Sequence, residues 1–597
     1  MNTNGGFFKG TALPVIVLAL SVFAVYYPAL GYGFVYDDSE LILGNRWVLS
    51  FSNIPEAFST HTFGFREEGY QAISYRPLLF VIYMAEYALF GFEPWGWHLV
   101  NVTAHAVNAA LVFFILRQAV GGEGRGYAAI MPAFAGALIF ALHPMNAESV
   151  SWLATMAELT FTFLCLAAFY IEARRTDATA CGAFERAASR VLPALFFLCA
   201  LLLKETAVVL PVIVFAYQAA RVGLKNLLST ASTVSRYLPY AAASVVYGGM
   251  RVYALKGEVT PMATLHSFLS PYEFALNAVV LLARYFKALV LPFGEPPLQL
   301  MDPVFSLMEP RAALCALVVV AVPVVLAVTL RRITRLWLLT LAIVILPILP
   351  TLYSPAISRF PFADRYLYFP TVGLAMLISI VLAWASSRSK VWGRAGIAIA
   401  LVAALPAAGL ARQKSAPWAS DLTLWSAALE FQSANYVAIH SVGAARMTEG
   451  RFQEAVSLLE RSLQLNISSS HPDPSMVILT RKALSLAALK AGMFDRAESY
   501  HESYLELVPE DAQYLYNLAV LKHRRGAFNE AAELYERSAL YSRQPDLSKM
   551  ALSGQSECFL ALGRRAEALD KLREALKYAP TDAFILGKVR ELEAGAL

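Results

Sequence analysis

Between residues 11 and 411 the sequence repeats one pattern: long apolar runs separated by short polar loops. Several runs reach the roughly 20 residues a helix needs to cross a bilayer. Backbone polar groups in lipid must be satisfied within the segment, so runs of this kind are expected to be helices. The composition agrees, with 57% hydrophobic and only 16% charged residues, against about 25% charged in a soluble globular chain. The net charge of +5 is what basic cytoplasmic loops supply and does not call for nucleic acid. The five cysteines are scattered, with no CxxC pair, so neither a disulfide framework nor a zinc site is expected. The first apolar run lacks an A-x-A cleavage pattern and reads as a retained helix.

Lysine and arginine favour the cytoplasmic side of short loops. The basic loops are Arg117–Arg125, Arg174–Arg190, Arg221–Lys225, Arg331–Arg335 and Arg388–Arg394. Placing them on one side requires an even number of crossings between them, so two apolar segments are not ordinary spans. Pro77–Gly91 is only roughly 22 Å long as a helix and carries Glu86. Tyr272–Pro292 carries Glu273, Arg284 and Lys287. Both are expected to lie at the outer interface. Eleven spans remain, at about 11–30, 95–117, 127–142, 150–172, 190–203, 206–221, 235–255, 310–330, 334–353, 366–386 and 392–411. The N-terminus is then cytoplasmic and the C-terminal tail outside.

After residue 412 the sequence becomes charged and helix-periodic. Gly450, Gly492, Gly526 and Gly563 are each followed five residues later by alanine, at Ala455, Ala497, Ala531 and Ala568. The later intervals approach the 34-residue tetratricopeptide period. About four repeats are expected to stack into a solenoid whose concave face takes a protein or peptide. The expected architecture is all-α: a polytopic membrane domain over 1–411 and a repeat domain over 412–597.

Within this topology the polar clusters near the membrane all fall on the outer side. Asp37 and Asp38 follow the first span, and Arg76 opens the short helix. His98, Asn101 and His105 share one helical face. His143 and Glu148 lie in the second outer loop, with Glu158 a little deeper. Lys204 and Glu205 join two spans, and Arg365 and Tyr366 precede another. Adjacent carboxylates offer a general base, one of which steers or repels the other. A glutamate inside an apolar run is a functional-site hypothesis by default. Arg365, Lys204 and Arg76 are suited to a lipid phosphate, and guanidinium forks match phosphate oxygens best. His98, Asn101, His105, His143, Glu205 and Tyr366 are candidate substrate contacts. No metal site is read, since the histidines have no third ligand at convincing spacing.

Taken together, FVYDDSELILGNRWV, YRPLLFVIYMAEYALFG, ALHPMNAESVSWLA, LLLKETAVVLP and ADRYLYFPTVG before tetratricopeptide repeats resemble the TMTC family of transmembrane and tetratricopeptide-repeat O-mannosyltransferases, which has many bacterial members. The resemblance covers almost the whole chain in order. It implies a GT-C glycosyltransferase fold, an acidic first outer loop, and a lipid-phosphate sugar donor with no certain further cofactor. It places Asp37 at the base position with Asp38 as partner or substitute. Glu158 falls at the second acidic position, Lys204 at the family's lysine between the fifth and sixth spans and Arg365 at the arginine of its ERYLY-like motif. The chain departs from the family by carrying Thr155-Met156-Ala157 before Glu158 and DRYLY for ERYLY, which leaves the sugar open. The expectation is an inverting membrane hexosyltransferase of a bacterial inner membrane. It would act on the periplasmic side on protein hydroxyls, among membrane lipids. The rivals are a membrane-anchored assembly scaffold and a polysaccharide polymerase or ligase.

Overall fold

The computed structural model describes residues 10–66, 74–121, 129–177, 183–228, 231–256, 269–356 and 359–594. Parts of the expected basic loops, 122–125 and the side chains of 175–190, lie outside the described residues, as does most of the segment before the first helix. The described residues are helical with no strand. They divide into two compact units, Met1–Phe431 and Gln432–Leu597. The change of composition near residue 412 precedes that division.

In the first unit a helical segment occupies each of the eleven expected span positions. Only seven of the described helices are long and apolar enough to cross a membrane, or eight if a bent pair counts as one. Length and composition among the described residues thus account for seven or eight of the eleven expected spans. Ile130–Leu142 and Pro144–Ser151 form the bent pair, turning by 49°. The break falls at His143-Pro144, where the proline ring disfavours helical backbone in the residue before it. The segment over 334–353 is a short apolar helix, Trp337–Tyr353. The polar helix Ala231–Ala254 is not among the seven. Helix lengths therefore do not fix the parity of crossings.

The short helix Pro77–Phe90 buries Leu79, Phe80, Tyr83, Met84 and also Glu86, which is 4% exposed. The Glu86 face of this helix thus packs on protein, while Leu89 on another face is 73% exposed. Helix Pro271–Val290 starts in a capping box between Ser270 and Glu273. Its Arg284 and Lys287 both reach Glu295, at 2.9 and 3.2 Å.

The helices carry the polar clusters at one end of the bundle. Arg76 precedes Pro77–Phe90, Glu158 opens Met156–Asp177, Lys204 precedes Glu205–Val222 and Arg365 precedes Pro370–Arg388. The opposite ends of the same or neighbouring helices carry Arg117, Arg174, Arg221, Arg388 and Lys390.

The second unit is a tetratricopeptide array of helix pairs: Tyr436–Thr448 with Phe452–Ile467, Pro474–Lys490 with Phe494–Leu505, Ala512–Arg524 with Phe528–Tyr541, and Pro545–Ala561 with Arg565–Leu576, then Ala583–Ala594. Gly450, Gly492, Gly526 and Gly563 make the turns within the pairs with φ of 74–84°, backbone that only glycine adopts without strain. The following alanines, 455, 497, 531 and 568, are fully buried. Any larger side chain there would hold the paired helices apart.

Candidate active site

The loop that leaves the first span turns so that Asp37 and Asp38 have different fates. Asp38 is 1% exposed. Its carboxylate accepts hydrogen bonds from the Val35 amide at 2.9 Å and the Ala154 amide at 2.7 Å. Asp38 thus fastens the loop to the second outer segment. Asp37 is partly exposed and its carboxylate accepts no hydrogen bond among the described residues. Crowding by protein pushes it up to about 6, against the opposing pull of Arg365 and Arg66. Burial of the charged form raises a carboxylate, and nearby cations lower it.

Arg365 is paired with Glu148, whose other oxygen accepts the Asp364 amide at 2.9 Å. The guanidinium lies 5.2 Å from the Trp152 ring centre and 4.9 Å from that of Tyr366. These are cation–π distances. On the same Tyr366 ring, Lys204 Nζ sits at 4.9 Å. Lys204 is paired with Glu158, and each of those side chains is only 7% exposed. Arg76 grips Glu205 through Nε and Nη2 at 3.2 and 3.1 Å, with Arg251 3.5 Å from the same carboxylate. Arg365 and Lys204, each held by one carboxylate, therefore flank the Tyr366 ring, and Arg365 lies close enough to act on Asp37. In its hydrogen bonds Arg365 uses one donor for Glu148 and Lys204 one for Glu158. Donors remain for a phosphate.

The sequence-derived site residues thus separate into two groups. Asp37, Glu148, Glu158, Lys204, Glu205, Arg76, Arg365 and Tyr366 come together. Asn101, His105 and His143 do not join them as substrate contacts. Asn101 donates to the Trp152 carbonyl at 3.1 Å. His105 bridges the Tyr368 hydroxyl and the Ala141 carbonyl at 2.8 and 2.9 Å. His143 reaches the Leu289 carbonyl at 3.0 Å. All three are buried and brace protein backbone rather than offer atoms to a ligand. His98 is fully buried and packs edge-on against Tyr32 at 6.0 Å. Helical spacing put them on one face, and that face turned out to be the packed one.

Sequence reasoning missed Trp152, Tyr36 and Asp421. Trp152 lies under Arg365 and stacks on Trp418 at 4.9 Å. Lys414, near the end of the last long helix, donates to Asp364 Oδ2 at 2.9 Å and to the Glu295 carbonyl at 2.6 Å. It also lines a cavity of about 820 Å³ between the 292–297 loop and Thr423, Ser426 and Glu430. The basic ending ARQK gave the only hint of it.

A helical bundle with seven or eight membrane-length helices, ion pairs gathered at one end and a tetratricopeptide array is an integral membrane protein with a repeat-bearing tail. Its curated homologues are TMTC-type protein O-mannosyl-transferases, and the similarity runs along most of the chain. Protein O-mannosyl-transferase Tmtc3 of Drosophila melanogaster is 22% identical over 94% of this chain and 66% of its own length. Protein O-mannosyl-transferase TMTC3 of Mus musculus is 22% identical over 96% of this chain and 64% of its own length. The chain thus spans about two thirds or less of these relatives. A tetratricopeptide repeat family model matches residues 482–546. Among solved structures, ArnT from Cupriavidus metallidurans bound to undecaprenyl phosphate aligns over 84% of this chain and 80% of its own, with 15% identity and a TM-score of 0.34.

Proposed function

We propose that the chain is a GT-C-type membrane glycosyltransferase. It transfers a sugar, mannose by family resemblance, from a polyprenyl-phosphate donor to an acceptor hydroxyl, a protein serine or threonine, on the periplasmic or extracellular side. The observation that carries this reading is the Asp37 carboxylate, which accepts no hydrogen bond among the described residues, set near Arg365, whose guanidinium keeps donors free. Homologues named as protein O-mannosyl-transferases support it.

Asp37 takes the proton of the acceptor hydroxyl. The oxygen attacks the anomeric carbon as the bond to the lipid phosphate breaks, and the electron pair leaves with that phosphate. Attack from the side opposite the leaving group inverts the anomeric centre. Arg365 and Lys204 stabilise the departing charge, a contribution of the electrostatic, preorganised kind. Arg76, held by Glu205, adds a third cation. Glu148 and Glu158 fix two of the cation heads, so little reorganisation is needed when phosphate arrives. The tetratricopeptide array holds the protein acceptor.

The test is transfer of label from tritiated undecaprenyl-phosphate mannose to a threonine-containing peptide by the purified protein. The reading predicts labelled peptide from the wild type and none from Asp37→Ala. Full activity in the double variant Asp37→Ala, Asp38→Ala refutes it. Silence at both Asp37 and Glu158, with loss of partners on changes to the repeat surface, would point to a scaffold.

A further inference from the structure

The segment after the last long helix turns back to the Asp37 loop. The Ala419 carbonyl accepts the Gly33 amide at 3.2 Å. Asp421 Oδ1 accepts the Tyr36 amide at 2.8 Å. The Tyr36 ring stands edge-on to Trp425 at 5.5 Å and tilts against Trp152 at 5.6 Å. Tyr36 itself has φ +58°, in the left-handed region, which is strained for a residue with a Cβ. Tyrosine has no intrinsic preference for that backbone, so tertiary contacts hold it there. The next residue is Asp37.

We propose that Asp421 is a positioning residue for Asp37. By capturing the Tyr36 amide it maintains the left-handed turn that presents the Asp37 carboxylate to the acceptor hydroxyl. Asp38 pins the same loop from the other side through Val35 and Ala154, so Asp37 is the single carboxylate of the three left without a hydrogen-bond donor among the described residues. Strained backbone persists only where its surroundings over-determine it, and it clusters at functional sites. Here the surroundings are one carboxylate and two indole rings. Asp421 opens the helix Asp421–Phe431 and never touches the reacting atoms. The proposal rests on the reading of Asp37 as the base.

The test compares Asp421→Ala with Asp421→Asn, which keeps an Oδ1 acceptor, in the full-length protein in detergent. Hydrogen exchange of the peptide covering residues 33–43 reads the turn without any substrate. In Asp421→Ala that exchange should accelerate about tenfold, a loss of about 1.4 kcal/mol of protection. With tritiated undecaprenyl-phosphate mannose and a threonine peptide, kcat should fall about tenfold or more while the donor KM stays within about twofold. The acidic limb of the rate profile should move down as the loosened carboxylate hydrates. Asp421→Asn should match the wild type in all readouts. Wild-type exchange and kcat in Asp421→Ala, or an Asp421→Asn variant as impaired as Asp421→Ala, overturns the proposal. If Asp421→Ala does not yield monodisperse protein, Asp421→Ser, whose hydroxyl falls short of the amide, replaces it. A fully active Asp37→Ala removes the base assignment alone; the exchange measurement still decides whether Asp421 holds the turn.

Discussion

Glu148 accepts both the Arg365 guanidinium and the Asp364 amide, joining segments 217 residues apart in sequence. This carboxylate orients the guanidinium that faces Asp37. Substituting Glu148→Gln keeps an acceptor for the amide but leaves Arg365 without a counter-charge. Breaking a buried pair costs about 3–5 kcal/mol. Arg365 keeps 21% of its side chain exposed, so about 2 kcal/mol is the expected loss after screening. Thermal unfolding in detergent should show it. Adding Arg365→Gln should restore the stability and leave transfer abolished.

Asp37 and Asp38 should separate cleanly. A base works deprotonated, so kcat/KM should rise with pH through about 6, the value to which burial lifts Asp37. A carboxylate raised in the folded state from its usual 3.8 to about 6 favours folding fully below 3.8, and that contribution is lost as pH rises through 6. At pH 7, Asp37→Asn should therefore abolish transfer with an unchanged or higher Tm. Asp38→Ala strands two amides and should lower stability by about 1–3 kcal/mol. Paired pH–rate and melting curves measure both.

Lys204 and Glu158 are each only 7% exposed. Either Lys204→Met or Glu158→Gln leaves a buried charge alone and should cost about 3–5 kcal/mol. The double variant Glu158→Gln, Lys204→Met should melt near the wild type while the donor KM stays elevated. A double-mutant cycle on Tm and KM separates the structural pair from the phosphate contact.

In the repeat unit, two helical glycines should respond in opposite senses. A Cβ on Gly554 would lie 2.6 Å from the Tyr535 ring, whereas one on Gly587 meets nothing within 4 Å. Gly554→Ala should destabilise the unit by about 1–3 kcal/mol through overpacking. Gly587→Ala should stabilise it by about 0.5–1 kcal/mol through helix propensity. Limited proteolysis of the full chain resolves the two.

Much of the site was readable because its residues are costly where they stand. A glutamate in an apolar run and arginines bordering membrane helices announce themselves by desolvation, and Glu148, Glu158, Lys204, Arg76 and Arg365 proved to converge. Asn101, His105 and His143 carried the same polar signal, yet they brace carbonyls left free at bends and helix ends. Sequence spacing gives a face, not what the face packs against. Asp421 escaped notice because an aspartate opening a helix after a tryptophan is ordinary in any soluble segment.

The sequence alone determined the helices and the repeats. Apolar runs, proline breaks and the glycine–alanine period are local properties, and the backbone must satisfy itself along each run. Tertiary structure alone decided which carboxylate is free. Asp37 and Asp38 are chemically identical neighbours, and only the distant amide of Ala154 occupies one of them, while Asp421 and two tryptophans set the turn that presents the other.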